Sequence, residues 1–389
     1  MKIVHVITRL IVGGAQENTL LSCEGLKKRG HDVYLVTGPS PGREGSLMER
    51  ALAGGYTVIL EPHLVRSPHP WHDARAFLSL RKLSAKLRPD IWHTHSSKAG
   101  ILGRSAVFGR GPVVVHTIHG LPFHPYQSRA AFWLWSTLER YAARRCDKLV
   151  VVADAMARQA LAQGVGRPEQ FVTIHSGMEL DKFKNSAHQR QKMRESLKIP
   201  ADRIVFGTIA RLQPLKGHAD ILKIAPLLVK ANPHIHFLWI GDGIFYAKFT
   251  ADIQHVGLAS HFTLTGLLPP DQVGEVLPAM DVVIHPSYRE GLPRALPQAM
   301  LAGLPTIAYD CDGAGEVCRN EQTGLLIPPG DITALRHAIE HLADNAAQRC
   351  AMGEAGRTLA ENEFSADDMV LRLDKLYHQL LAEIGRRPS

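Results

Sequence analysis

The feature that most constrains this chain is a regular alternation of short apolar runs of β type with amphipathic stretches. Ile3–Ile7, Val33–Thr37, Thr57–Leu60, Ile91–His93, Val113–Thr117, Leu149–Val152 and Phe171–Ile174 read as strands, and helical patterns fill the gaps. A polar, charged stretch over Ala187–Pro200 suits a linker with a short helix. The pattern then restarts at Ile204–Ile209, His236–Ile240, Phe262–Leu264, Val282–His285, Thr306–Tyr309 and Leu325–Ile327. Strands alternating with helices of about 10 to 15 residues predict an α/β fold with parallel sheets covered on both faces. At 389 residues the chain exceeds one ordinary core. Two doubly wound units in tandem are therefore expected, over 1–187 and 188–368. A last helix over 369–389 carries Leu371, Leu373, Leu376, Leu380 and Leu381 at helical spacing. Ligands of such sheets bind at the carboxyl ends of the strands, which places the working site in the cleft between the units.

The stretch from Arg289 to Pro305 joins a short apolar strand, Asp281–Pro286, to a helix, with Gly291 and Pro293 marking the turn. Pro297 lacks an N–H and fits only the first turn of a helix, so the helix starts near Arg294 and ends at Gly303. Glu290 then sits in the loop and Gln298 near the helix start. The amides of Gly291, Leu292 and Arg294 point into one space, which suits an anion or sugar hydroxyls.

Other motifs fall at strand ends. Gly13-Gly14-Ala15-Gln16-Glu17 follows the first strand and opens a helix, which allows close approach of a ligand to the backbone or serves as a plain tight turn. Gly241-Asp242-Gly243 also follows a strand, but Tyr246 stands where a dinucleotide fingerprint needs glycine, against NAD. Arg211 and Lys216 share the loop after Ile209, where a guanidinium fork and an ammonium suit a diphosphate. His93-Thr94-His95 and His119-Gly120 end strands of the first half. The H-x-H pair suits zinc, yet no third ligand stands at a convincing spacing; a histidine bonded to a substrate hydroxyl or phosphate is the other reading, and His119 is its better candidate. Asp310-Cys311-Asp312 has a metal-binding form but reads better as a loop before Gly313 and Gly315.

Composition excludes several classes. A hydrophobic content of 45% with 21% charged residues is that of a soluble globular protein. No apolar run reaches the roughly 18 residues of a membrane span, and Met1–Ile7 reads as a strand rather than a signal peptide, so a cytoplasmic location is expected. The five cysteines are scattered without a C-x-x-C and are read as reduced. Residues 1–190 carry 26 Lys and Arg against 14 Asp and Glu, a net +12, while the remainder carries −4. A basic half fits nucleic acid, an anionic membrane or a merely solvated surface. No nucleic-acid motif accompanies it. The amphipathic segment Arg129–Arg145, with Phe132, Trp133, Trp135 and Leu138 beside four arginines, suits either the inner face of the cell membrane or a core helix with a basic outer face.

Taken together, Gly13-Gly14, His119-Gly120, Ile174-His175-Ser176-Gly177-Met178, Arg211…Lys216-Gly217, Ile240-Gly241-Asp242-Gly243, Glu290-Gly291-Leu292-Pro293 and Thr323–Asp331 resemble the retaining glycosyltransferases of family 4, which have the two-domain GT-B fold. The resemblance covers nearly the whole chain. It implies that Arg211 and Lys216 neutralise the diphosphate of a nucleotide-sugar donor, expected to be a UDP-sugar, and that Glu290 orients the donor sugar with amides from Gly291 to Arg294 nearby. Leu292, Pro293, Gly243 and Gln298 join the donor site; Gly14 lets the first domain close on the phosphates, and His119 contacts the sugar near the reacting carbon. Gln16 and His95 are weaker candidates on the acceptor side. The last helix packs back on the first domain in relatives. The implied acceptor is a glycan or lipid-linked sugar, with no cofactor or metal. Two departures stand out: Gln298 replaces the family's second glutamate, which loses a charge-assisted contact to the ribose, and Ser176 replaces an asparagine. With no second carboxylate evident as a nucleophile, direct departure of the diphosphate with attack from the same face is the expected mechanism. A nucleotide-sugar epimerase or hydrolase, or a non-catalytic nucleotide-sugar-binding protein, stays open as an alternative.

Overall fold

The computed structural model describes residues 1–40, 44–183, 187–383 and 385. Ile384 and residues 386–389, which the sequence reading included in the last helix, lie outside them. Contacts divide the chain into two compact units: Met1–Gly177 with the chain from Ala366 on, and Met178–Ser365. The sequence reading placed these joins at 187/188 and 368/369.

In the first unit β1 (Lys2–Ile7), β2 (Asp32–Thr37), β3 (Thr57–Leu60), β4 (Ile91–His95), β5 (Val113–Ile118), β6 (Lys148–Val151) and β7 (Phe171–Thr173) form a seven-stranded sheet in the order β3-β2-β1-β4-β5-β6-β7. All pairings are parallel. Side chains alternate between the faces of a sheet, so the register Ile3↔Ile91↔Val113 and His5↔His93↔Val115 sets two rows on one face. The helices Gly14–Lys28 and Ala366–Glu383 cover that face, burying Leu20, Leu26, Leu373 and Tyr377 with Ile3, Ile91 and Val113. A Cβ on Gly25 would lie 2.5 Å from Val370, so glycine lets these two helices meet closely. The buried stripe of the last helix is Met369, Val370, Leu373, Leu376, Tyr377, Leu380 and Leu381. Leu371, expected in it, is only partly buried. On the opposite face Gly103 of the helix Ser97–Val107 packs on β4, where a Cβ would come within 2.7 Å of Thr94.

In the second unit β8 (Ile204–Ile209), β9 (Ile235–Ile240), β10 (Phe262–Leu264), β11 (Val282–His285), β12 (Thr306–Tyr309) and β13 (Gly324–Ile327) form a six-stranded parallel sheet in the order β10-β9-β8-β11-β12-β13. The polar stretch read as a linker with a short helix contains that helix, Ala187–Ser196, and the helix is docked on its unit. Its Arg190 and Arg194 reach the two oxygens of Asp281 at 2.6 and 2.7 Å, and the Val205 amide donates to the same carboxylate at 2.7 Å. Arg194 is buried, and three more of its N–H groups donate to the carbonyls of Ala279, Ala201 and Arg203. A buried guanidinium with four of its N–H groups bonded therefore docks this polar segment. Among the described residues no helix is long and apolar enough to cross a membrane.

Candidate active site

In the second unit the strand order turns at the neighbours β8 and β11, and the loops that leave their carboxyl ends lie side by side. The Tyr288 amide donates to the Leu215 carbonyl at 2.9 Å and ties the loops together. Gly217 starts the helix His218–Ala231 at φ 72°, and a Cβ there would fall 2.0 Å from the Pro286 carbonyl oxygen, so only glycine fits this crossing. The approach brings Lys216 Nζ to 2.5 Å from Glu290 Oε1, and His285 Nε2 lies 2.8 Å from the same oxygen. Burial alone works against the Glu290 charge, but Lys216 and His285 outweigh it and hold the carboxyl far below the usual carboxylate range. Glu290 is thus a permanent anion, suited to accept hydrogen bonds.

The surrounding loop is held from below. The Glu290 amide donates to the Asp312 carboxylate at 2.6 Å, and the Gly313 amide to the Gly291 carbonyl at 3.1 Å. Asp310-Cys311-Asp312 is accordingly a buttress for the Glu290 loop. The amides of Gly291 and Leu292 donate to no acceptor among the described residues. The short helix runs Ala295–Leu301 with Arg294 as its cap, Pro297 in its first turn and Gly303 at φ 74° beyond its end. Gln298 is partly buried near its start. Arg211 lies exposed in the loop after β8. Gly243 sits against that loop's backbone, where a Cβ would meet the Leu212 carbonyl at 2.4 Å. The sequence reading missed His285. Its only signal was a polar residue closing an apolar strand five positions before Glu290.

In the first unit the order turns between β1 and β4. A pocket of about 250 Å³ opens beside it, its wall including Ala15, Ser96, His116, Thr117, His119 and Glu139. Gly14, exposed, adjoins Ala15. Ser96 holds φ 60°, fixed by a 2.7 Å bond between its hydroxyl and that of Thr8. Gln16 and His95 are not on the wall. His95 is buried behind His119, its Nδ1 3.0 Å from His119 Nε2. His5 of β1 supplies the third imidazole that spacing along the chain did not reveal, with all three rings of His5, His93 and His95 near one another. Five of their six nitrogens are hydrogen-bonded, to one another, His119, Tyr377 and Thr117, and His5 Nε2 has no partner.

A doubly wound parallel sheet in each unit, with polar loops gathered where each strand order reverses, defines the class: an α/β protein of the GT-B fold. A family profile described as Glycosyltransferase Family 4 matches residues 12–182, and one described as Glycosyl transferases group 1 matches residues 189–359. The chain belongs to the family 4 glycosyltransferases. It is 28% identical over 380 residues to the UDP-Gal:alpha-D-GlcNAc-diphosphoundecaprenol alpha-1,3-galactosyltransferase of Escherichia coli, covering 97% of this chain and 95% of the relative. It is 23% identical to a GDP-mannose-dependent alpha-(1-6)-phosphatidylinositol monomannoside mannosyltransferase of Mycobacterium tuberculosis, covering 84% of each. The crystal structure of Anabaena Alr3699/HepE in complex with UDP superposes with a TM-score of 0.82 at 20% identity, over 97% of this chain and 100% of that one.

Proposed function

We propose that this glycosyltransferase is a retaining, metal-independent enzyme that moves a sugar from a UDP-sugar to a lipid-linked or glycan acceptor in cell-envelope or exopolysaccharide synthesis. The observation that carries the reading is the cluster of Lys216, His285 and Glu290 beside the open amides of Gly291 and Leu292. A relative named for UDP-Gal and a diphosphoundecaprenol acceptor supports the choice of substrates. Glu290 accepts hydrogen bonds from the sugar hydroxyls. Lys216 has three N–H donors, of which Glu290 takes one, and the others with Arg211 serve the diphosphate. The glycosidic bond to phosphate breaks, the acceptor oxygen bonds to the same carbon from the same face, and its proton passes to the leaving phosphate. Gly14, Gly243, Leu292 and Pro293 shape the donor site, and His119 contacts the sugar.

A panel of nucleotide sugars tested by thermal shift checks the donor: a UDP-sugar raises Tm, by roughly 2.7 kcal/mol of added stability at a hundredfold excess over Kd. No stabilisation by any nucleotide sugar would remove the reading. Gln298→Glu, which restores a charged acceptor for a ribose hydroxyl, is expected to leave UDP affinity unchanged or to tighten it by up to about tenfold in calorimetry.

We also propose a peripheral contact with an anionic bilayer at the inner face of the membrane. Support comes from the helix Arg129–Ala143, where Trp133 is 65% and Leu134 48% exposed, and from Arg145, whose guanidinium lies 3.5 Å from the Tyr141 ring centroid. The protein should co-sediment with anionic vesicles and be released as salt rises; failure to sediment at low salt rejects the contact.

A further inference from the structure

His31, Asp374 and His378 bring two imidazoles and a carboxylate together in the first unit, with one donor atom of each within 4.8 Å of the others. His31 Nε2 lies 2.8 Å and His378 Nε2 3.5 Å from the same oxygen, Asp374 Oδ1. Asp374 and His378 are four residues apart on the helix Ala366–Glu383, so they share a face. His31 stands 343 positions before Asp374, in the turn between the helix Gly14–Lys28 and β2. The group opens to solvent on one side: the His31 and Asp374 side chains are largely buried, whereas that of His378 is 56% exposed.

Ligand atoms about 2.0–2.2 Å from a tetrahedral zinc ion stand roughly 3.3–3.6 Å from one another. The His378 to Asp374 distance already has that value, and the His31 to Asp374 hydrogen bond would lengthen by roughly 0.5 Å to reach it. Magnesium and calcium take oxygen ligands, so two imidazoles with one carboxylate select a transition metal, and zinc accepts this donor set. Two protein cations stand close by, each against the atom that such a centre does not use. The Met1 amine is 3.4 Å from His31 Nδ1, and Arg29 Nη1 is 3.7 Å from Asp374 Oδ2.

We propose that His31, Asp374 and His378 form a zinc-binding site, completed by water, that fastens the last helix to the turn before β2. The ion replaces one hydrogen bond between distant parts of the chain with three metal–ligand bonds. His31 lies at the amino end of β2, whereas the pocket opens beside residues at the carboxyl ends of β4 and β5. The site therefore serves the fold of the first unit, and sugar transfer needs no metal there.

Titration of the purified full-length chain with zinc, against a chromophoric chelator as competitor, tests the proposal. The native chain should show a site with a Kd of about 1–10 μM that is weakened by about tenfold or more in His378→Ala. His378→Ala trims an exposed side chain and should leave the fold intact, and every other histidine is common to both proteins, so the difference reports this site alone. Asp374→Asn, which keeps the shape but loses the charge, should weaken the same site. Hydrogen exchange gives the second reading: saturating zinc should slow exchange of the amides of the last helix in the native chain by about tenfold and leave them unchanged in His378→Ala. Equal zinc affinity and stoichiometry in the native chain and both variants overturns the site. Binding that adds no protection to the last helix overturns the fastening.

Discussion

Glu290→Ala is expected to lower transfer by about 100- to 1,000-fold, the magnitude typical of losing one preorganised electrostatic group at a reacting centre. The carboxylate is the acceptor on which Lys216 and His285 both converge. Its removal strips the sugar of its acceptor and frees the Lys216 ammonium to bind the diphosphate without orienting the donor. Donor KM should therefore change little or fall while kcat collapses, a pattern that a general loss of structure would not produce. Glu290→Gln, which keeps shape and one acceptor oxygen, should fall between the two. Steady-state kinetics with circular dichroism as a folding check decides the matter. Full activity in Glu290→Ala would leave this stretch as nothing more than a well-buttressed loop.

The largest stability effect is expected in the first unit, at the ion pair of Arg104 Nη2 and Glu139 Oε2, 2.8 Å apart and 0% and 4% exposed. Glu139→Ala removes the partner of a guanidinium that is itself 0% exposed. Breaking a buried pair in this way costs about 3–5 kcal/mol. Replacing both residues by apolar ones of similar volume, Arg104→Met with Glu139→Leu, should recover much of that, because the cost lies in the unpaired charge. Urea unfolding of the full chain measures both. A shift below about 1 kcal/mol for Glu139→Ala would mean that the structure relaxes enough to hydrate Arg104.

The strands were legible because parallel strands covered on both faces leave unbroken apolar runs; β3, β8, β10, β11 and β12 match their predicted bounds. The start of the helix at Arg294 was legible for a different reason, since a proline at 297 admits only one phase. Lys216 and Glu290 could be placed at strand ends from their loops. What stayed hidden depends on register between strands. His5 meets His95 because β1 and β4 are neighbours, which no local spacing encodes. His285 likewise acts through a loop that begins after its strand. The short helix expected in Ala187–Pro200 is present, but its docking stayed hidden because a buried arginine looks, in sequence, like an exposed one.

The helix Ala366–Glu383 completes the core of a unit whose other residues end at Gly177. During synthesis at about 5–20 residues per second, the intervening second unit separates the two by roughly 10–40 s. Throughout that interval the nascent first unit has only the helix Gly14–Lys28 on one face of its sheet, leaving Ile3, Ile91 and Val113 short of the partners that the last helix supplies. The second unit, contiguous from Met178 to Ser365, has no such wait. The order in which the chain leaves the ribosome thus reverses the order in which its two halves can finish folding.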